Sequence, residues 1–224
     1  MNPSPSPRVK ICCIASREEA QLAIRYGASA LGLVSAMPSG PGSIPEEGIA
    51  AIVPTIPPGV ASFLLTSKQD APSIIAQQRR THVNTLQLVD AVSVDTYKQL
   101  RDELPEIALV QVIHVLGENS IAEAVSISPY VDMILLDSGN PKLAVKELGG
   151  TGRTHDWNIS TRIREAVPVP MFLAGGLHHA NVAAAVRQVQ PYGLDLCSGV
   201  RTAGGLDEKK LAAFFSAIST AVQP

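Results

Sequence analysis

Residues 171–200 read MFLAGGLHHANVAAAVRQVQPYGLDLCSGV. The stretch opens on the short apolar run Met171–Leu173, turns through Ala174-Gly175-Gly176-Leu177, carries a helix-forming segment over Asn181–Gln188 and returns to an apolar run at Leu194–Cys197 that ends in Ser198-Gly199-Val200. Strand, glycine turn, helix and strand in that order, with short links, argue for parallel strands joined by a crossover helix. The same alternation runs through the chain before it. Val9–Ile14 is a β-rich run, followed by a helix that Ser16 caps, with Glu19 three residues on as a capping box. Ala30–Val34, the Pro/Gly/Ser loop Met37–Ile44 and a short helix from Glu46 come next. Val60–Leu65 pairs with Ala71–Arg80, Thr85–Leu88 with Val94–Leu104, and Ala108–Val112 with Ile121–Ile127. Met133–Leu136 leads into the long, Gly-rich loop Lys142–Asp156 and a helix over Asn158–Ala166, and Asp207–Ala221 closes the series. Eight strand–helix alternations in the α/β class suit closure into a (β/α)8 TIM barrel. A doubly wound open sheet is the rival. It normally needs fewer units, and no G-x-G-x-x-G follows the first strand. The expected organisation is a disordered tail over residues 1–8 and one barrel domain over residues 9–224.

Composition agrees with a large core. Hydrophobic residues make up 46 % of the 224-residue chain, charged residues 17 % and aromatics 4 %. Branched and small apolar side chains suit strands buried on both faces. A net charge of −2 offers no basic face for nucleic acid and no polybasic run for a membrane surface. No apolar stretch approaches the roughly 20 residues that span a bilayer. The opening Met1–Arg8 alternates Pro and Ser, lacks an apolar h-region and does not read as a signal peptide. Three cysteines, two of them adjacent, are no disulfide framework and point to a reducing cytoplasm.

In a barrel of this kind the chemistry belongs to the C-terminal ends of the strands. The unusual residues collect there: Cys12 and Cys13 near the end of the first strand, Asp137 ending the sixth, Gly149-Gly150-Thr151-Gly152 after it, Gly175-Gly176 after the seventh, and Asp195 within and Ser198-Gly199 after the eighth. Glycines in two consecutive loops let backbone N–H groups approach a phosphate. Each Gly pair could equally serve only to end a strand in a tight turn. Asp137 could cap a helix, although the next helix begins far beyond a long loop. Cys12 could be an inert buried thiol. His114, His155, His178 and His179 lie on or near the same face without metal-ligand spacing, and His178–His179 reads more readily as a solvated pair than as ligands.

These residues resemble the phosphoribosylanthranilate isomerase family, nearly end to end from Val9 to about Phe215. Val9-Lys10-Ile11-Cys12 is similar to the family's opening Val-Lys-Ile-Cys-Gly-Ile, and Leu135-Leu136-Asp137 to its sixth strand. Gly149-Gly150-Thr151-Gly152, ending in His155-Asp156-Trp157, resembles Gly-Gly-Thr-Gly-x-x-Phe-Asp-Trp. Leu173-Ala174-Gly175-Gly176-Leu177 with Asn181 resembles the seventh unit, and Asp195 to Val200 the family's Val-Asp-x-Ser-Ser-Gly-Val-Glu. Each motif alone is weak; five in order are specific.

The resemblance implies an Amadori rearrangement of an N-linked ribose 5-phosphate in tryptophan biosynthesis, with no metal or redox cofactor. It implies Cys12 as general base and Asp137 as general acid. Lys10, Gly150, Thr151, Gly152, Gly175, Gly176, Asp195, Ser198 and Gly199 are the expected substrate and phosphate contacts. The expected partner is a small phosphosugar, with neither nucleic acid nor membrane, on a monomer or a homodimer.

The departures gather at the aglycone end. Cys13 stands for the family's Gly, Gly40-Pro41-Gly42-Ser43 for a Ser-Pro-Arg run whose Arg meets the anthranilate carboxylate, and Val89 for a His. His155 replaces Phe and Arg201 replaces Glu. A carboxylate without its bidentate Arg loses a charge-assisted bond of about 1.5–3 kcal/mol. If the aglycone still carries a carboxylate, Arg201 or Arg153 is expected to serve it, and Gly42→Arg is the natural restoration. Cys13 is expected to point away from the mouth by strand alternation. A diverged paralogue isomerising another phosphoribosyl compound, and a non-catalytic phosphosugar binder, remain as rivals.

Overall fold

The computed structural model describes residues 6–222. β1 (Arg8–Ile11), β2 (Ala30–Val34), β3 (Ala61–Thr66), β4 (Thr85–Leu88), β5 (Ala108–His114), β6 (Met133–Asp137), β7 (Met171–Leu173) and β8 (Gly193–Leu196) close in sequence order into one barrel, β8 returning to β1. The pairings are parallel, from Lys10 against Ala30 around to Lys10 against Asp195. The helices α1 (Arg17–Arg25), α2 (Glu46–Ile52), α3 (Ala71–Thr81), α4 (Val94–Glu103), α5 (Asn119–Ile127), α6 (Trp157–Ala166) and α7 (Val182–Val189) provide the crossovers, and α8 (Glu208–Val222) follows the last strand.

Strand alternation sorts the core into two bodies. One set of side chains meets the helices, with Ile11, Leu31, Leu64, Leu86 and Leu194 in one continuous cluster. The other set fills the barrel interior, including Ala30, Phe63, Val110, Leu135 and Phe172. Phe63 and Phe172 meet edge to face there with centroids 6.1 Å apart, so the interior is a packed floor and the cleft lies above it.

Local chemistry fixes the helix starts. Ser16, Asp70, Ser93 and Asp156 each accept a backbone N–H from the first turn that follows. The expected capping box at Ser16 forms with a shift: the Glu19 carboxylate accepts from Ala15 N–H at 2.9 Å, one residue before the cap. Among the described residues, no helix is long and apolar enough to cross a membrane.

Three boundaries depart from the sequence reading. Of the expected tail, residues 1–5 lie outside the described residues, and Arg8 is already paired with Gly193. β1 stops at Ile11 rather than running to Ile14, because Cys13 adopts φ +63° and ends the alternation. A small hairpin, β9 (Arg201–Thr202) with β10 (Gly205–Leu206), precedes α8. Asp207 then caps that helix by accepting from the N–H groups of Lys209 and Lys210.

Candidate active site

The polar floor of the cleft begins with Lys10. Its ammonium is fully buried, lies 2.9 Å from Asp195 Oδ2 on the adjacent strand and sits 5.3 Å from the centre of the Phe63 ring. An ideal Cβ on Gly32 of β2 would come 2.8 Å from Cys12 Sγ and 3.0 Å from Lys10 Nζ, so thiol and ammonium flank one point that only a glycine leaves open. Burial pulls the Lys10 ammonium down. Asp195, and after it the neighbouring thiols, more than offset that and leave it at about 12. The second oxygen of Asp195 has no partner within the protein, nor has Oε1 of Gln87 from β4, and both residues line the cleft.

Cys12 and Asp137 face the same cleft from different sides of the ring. β7 and β8 separate their strands one way round, β2 to β5 the other. Asp137 takes the N–H of Ser138 on Oδ1 at 2.7 Å and pairs in register with His114, whose Nε2 donates to Val89 O at 3.0 Å. Burial raises the Asp137 carboxyl above the usual carboxylate range, the Ser138 N–H, His114 and Lys10 pull against it, and Asp195 adds to the rise. A carboxyl raised in this way gives up its proton less readily to water and is the better suited of the two to act as a general acid.

Three loops converge over the far side. Ser198–Val200 forms a short 3-10 turn after β8, and the segment Gly175–Leu177 after β7 packs against it at Gly199. Asn181 ties the β7 loop down, donating to Gly176 O at 2.9 Å and accepting from His178 N–H at 2.8 Å. Gly176 has φ +59°, and a Cβ there would lie 2.7 Å from the Arg153 backbone, so both the turn and the close approach exclude a side chain. The β6 loop joins through Thr151, whose hydroxyl meets Ser138 Oγ at 2.7 Å, and Gly150 closes on Pro41 from the β2 loop. The resulting cleft is open to solvent and encloses about 650 Å³ when the space at its mouth is counted.

Of the expected contacts, Gly150, Thr151, Gly152, Gly175, Gly176, Asp195 and Ser198 line this cleft with Cys12 and Asp137. Gly199 stands one residue behind, in the β7–β8 contact, and Lys10 lies beneath Asp195 rather than in the lining. Cys13 does line it, against the alternation argument, because its left-handed backbone turns the side chain in; contact with the Cys12 and Cys197 thiols, and then burial, holds its own thiol above the ordinary range. Gly42 packs directly on Cys13. It has φ +76° and an ideal Cβ on it would overlap Cys13 Cβ, so a single arginine restored there has no room.

Neither arginine expected to serve the aglycone is free. Arg201 reaches under the cleft to Glu19 at 2.8 Å and to the carbonyls of Cys12 and Cys13 at 3.2 and 2.6 Å. Arg153 is paired with Glu147 on the exposed β6 loop. Sequence reading missed Glu19 in that role, since its capping motif says nothing of a partner 182 residues away. It also missed Gln87, which has no motif of its own. Among the described residues, no group of three His, Cys, Asp or Glu side chains is placed to hold a metal ion.

Comparison with known proteins gives a consistent match. The family model described as N-(5'-phosphoribosyl)anthranilate (PRA) isomerase matches residues 9–217. A relative named N-(5'-phosphoribosyl)anthranilate isomerase 2, from Methanosarcina mazei, is 36 % identical over 209 residues, covering 92 % of each chain. The crystal structure of a phosphoribosylanthranilate isomerase from Thermus thermophilus superimposes with a TM-score of 0.80 at 26 % identity, covering 95 % of this chain and 98 % of that one. A further isomerase, solved in complex with reduced 1-(o-carboxyphenylamino)-1-deoxyribulose 5-phosphate, gives a TM-score of 0.77 at 25 % identity over 96 % of this chain and 99 % of that one.

Proposed function

The chain belongs to the phosphoribosylanthranilate isomerase family, and we propose that Cys12 and Asp137 carry its Amadori rearrangement. The enzyme is an aldose–ketose isomerase of tryptophan biosynthesis, acting on N-(5-phosphoribosyl)anthranilate. Asp137 gives its proton to the furanose ring oxygen. The C1–O bond breaks as the nitrogen lone pair forms a C1=N Schiff base. Cys12, as general base, then takes the C2 proton; the C–H electrons form the C1=C2 bond and the C1=N pair returns to nitrogen, giving an enolamine. Loss of the C2 hydroxyl proton and protonation at C1 complete the ketose. Each positioned proton transfer contributes about 10²–10⁴-fold.

The phosphate is assigned to the backbone N–H groups of Gly175, Gly176, Ser198 and Gly199, with the Gly150–Gly152 segment closing over the ribose. The convergence of the three loops supports this. Asp195 offers its unpartnered oxygen to a sugar hydroxyl, and Lys10 holds that carboxylate from below. A free thiol at Cys12 suits a reducing cytoplasm.

The observation that carries the reading is the placement of a thiol and a raised carboxyl on different sides of one cleft. Cys12→Ser and Asp137→Asn are each expected to lower kcat by about 10²–10⁴-fold with little change in KM, the pattern of a group acting in the transition state. Wild-type turnover in either variant removes that residue from the mechanism.

A further inference from the structure

We propose that Lys146 is the cation that receives the anthranilate carboxylate, presented at the rim of the cleft by the β6 loop and steadied there by Asp90. This rests on the isomerase reading and names a specificity residue for its substrate. β7 and β8 carry the proposed phosphate loops, so the extended substrate runs across the mouth toward β2, β3 and β4. The walls met there are Val34, Met37, Pro41, Leu65 and Leu148, with the neutral amide of Gln87 from β4. The charged side chains lining the cleft are Asp137 and Asp195, both acids, and no Lys, Arg or His lines it among the described residues. A carboxylate taken into these surroundings needs a cation from the rim.

Lys146 is placed to supply it. Its carbonyl accepts from Ser39 Oγ on the β2 loop, and Leu148, two residues on, is part of the wall, so this stretch of the β6 loop lies at the aglycone end. Its ammonium meets Oδ2 of Asp90, which follows β4 and comes three residues after Gln87. Asp90 is itself fixed: Oδ1 accepts from Ala91 N–H at 2.9 Å, and its carbonyl accepts from Gln111 Nε2 at 3.1 Å. The pair is lopsided, the Lys146 side chain being 39 % exposed and that of Asp90 9 %. An ammonium carries three donors. One serves Asp90, and another can take a substrate carboxylate without stranding the buried acid. The other cations are committed or turned away. Lys10 is enclosed beneath Asp195, and Arg201 is held under the cleft by Glu19 and two carbonyls. Arg153 sets its backbone against Gly175 and Gly176 on the phosphate side and its guanidinium on Glu147. Lys68 and Lys142 are exposed and lie toward Glu46 and Glu123 on the helices.

The test compares wild type, Lys146→Met, Lys146→Arg and Arg153→Met on two N-phosphoribosyl amines, those of anthranilate and of aniline, which lacks the carboxylate. Lys146→Met is expected to raise KM for the anthranilate compound by about tenfold or more, the scale of one lost charge-assisted hydrogen bond, with kcat little changed. KM for the aniline compound should stay near the wild-type value, and Lys146→Arg should recover most of the loss. A merely structural lysine would move both compounds together or neither, and either result overturns the inference. A selective loss for anthranilate in Arg153→Met instead also overturns it. If wild type turns over neither compound, the isomerase reading fails by itself. Calorimetric binding of the two reduced 1-arylamino-1-deoxyribulose 5-phosphates then supplies the same comparison. A loss in Lys146→Met confined to the carboxylate compound supports the assignment there, and an equal effect on both, or none, overturns it.

Discussion

Lys10→Met removes the ammonium at the floor of the cleft and keeps most of the side-chain volume. Asp195, 8 % exposed, is left without the cation that now stands 2.9 Å away. Breaking a buried pair from one side costs about 3–5 kcal/mol, because the surviving charge is uncompensated. With an unfolding entropy of about 2.1 cal/mol/K per residue over 224 residues, or roughly 0.47 kcal/mol/K, Tm should fall by about 6–11 °C. Asp195→Asn strands the ammonium instead and should cost a similar amount. The double variant Lys10→Met/Asp195→Asn leaves no stranded charge. It should be more stable than the sum of the single losses implies, by about 2 kcal/mol or more. The assay is calorimetric Tm and urea unfolding at pH 7 for the four proteins. Because Lys10 is raised from 10.5 to about 12, its protonation stabilises the fold fully below pH 10.5, and that contribution is lost as pH rises toward 12. The wild-type advantage should shrink over that window. Additive losses would refute the reasoning. So would a Lys10→Met enzyme that melts within about 2 °C of wild type, under 1 kcal/mol on the same scale, but shows a raised KM; Lys10 would then be a direct substrate contact.

Two further outcomes follow from the same geometry. His155 is held neutral, its ring pushed from 6.5 down to about 4 by burial, with Nε2 against Ser160 Oγ at 2.7 Å. That stability is complete above pH 6.5 and is lost as pH falls toward 4, because the unfolded chain takes up the proton first. His155→Phe should therefore show a flatter Tm between pH 7 and pH 4, and an unchanged slope would dismiss His155 as an acid-sensitive point. Gly42→Arg should be destabilised by about 1–3 kcal/mol through overlap with Cys13 and its positive φ. Adding Cys13→Gly should restore most of that loss; a Gly42→Arg protein as stable as wild type would sink the clash argument.

The strands were legible because parallel strands in a barrel are buried on both faces and read as predominantly apolar runs. Ala30–Val34, Thr85–Leu88 and Met171–Leu173 begin and end where the sequence reading set them. The first strand was read too long for a backbone reason: Val9–Ile14 is apolar but for Lys10, and nothing in the letters marks Cys13 as left-handed. The hairpin at Arg201–Thr202 and Gly205–Leu206 was missed because two-residue strands carry no periodicity. In the cleft, Cys12, Asp137 and the glycine loops could be found from their positions at strand ends. What decides the aglycone end could not. The commitments of Arg201 to Glu19, of Lys146 to Asp90 and of Arg153 to Glu147 are made by side chains that meet only once the loops have folded. A sequence shows that an arginine is present; it does not show that its charge is already spent.

The two acids of the cleft illustrate how the barrel separates roles that composition leaves identical. Asp195 and Asp137 are both 8 % exposed, both project inward from strands and both line the same space. Asp195 has an ammonium in the adjacent strand, placed there by the register of Lys10 against it. Asp137 has no cation in contact; its in-register neighbour is His114, whose ring turns its N–H to Val89. Burial without a cation in contact raises the Asp137 carboxyl. The proton-donor role proposed for Asp137 and the hydroxyl contact proposed for Asp195 therefore follow from the strands that flank each one. Strand order in a closed barrel fixes those neighbours more firmly than any loop could, and the adaptable loops are left to shape the part of the cleft that meets the aglycone.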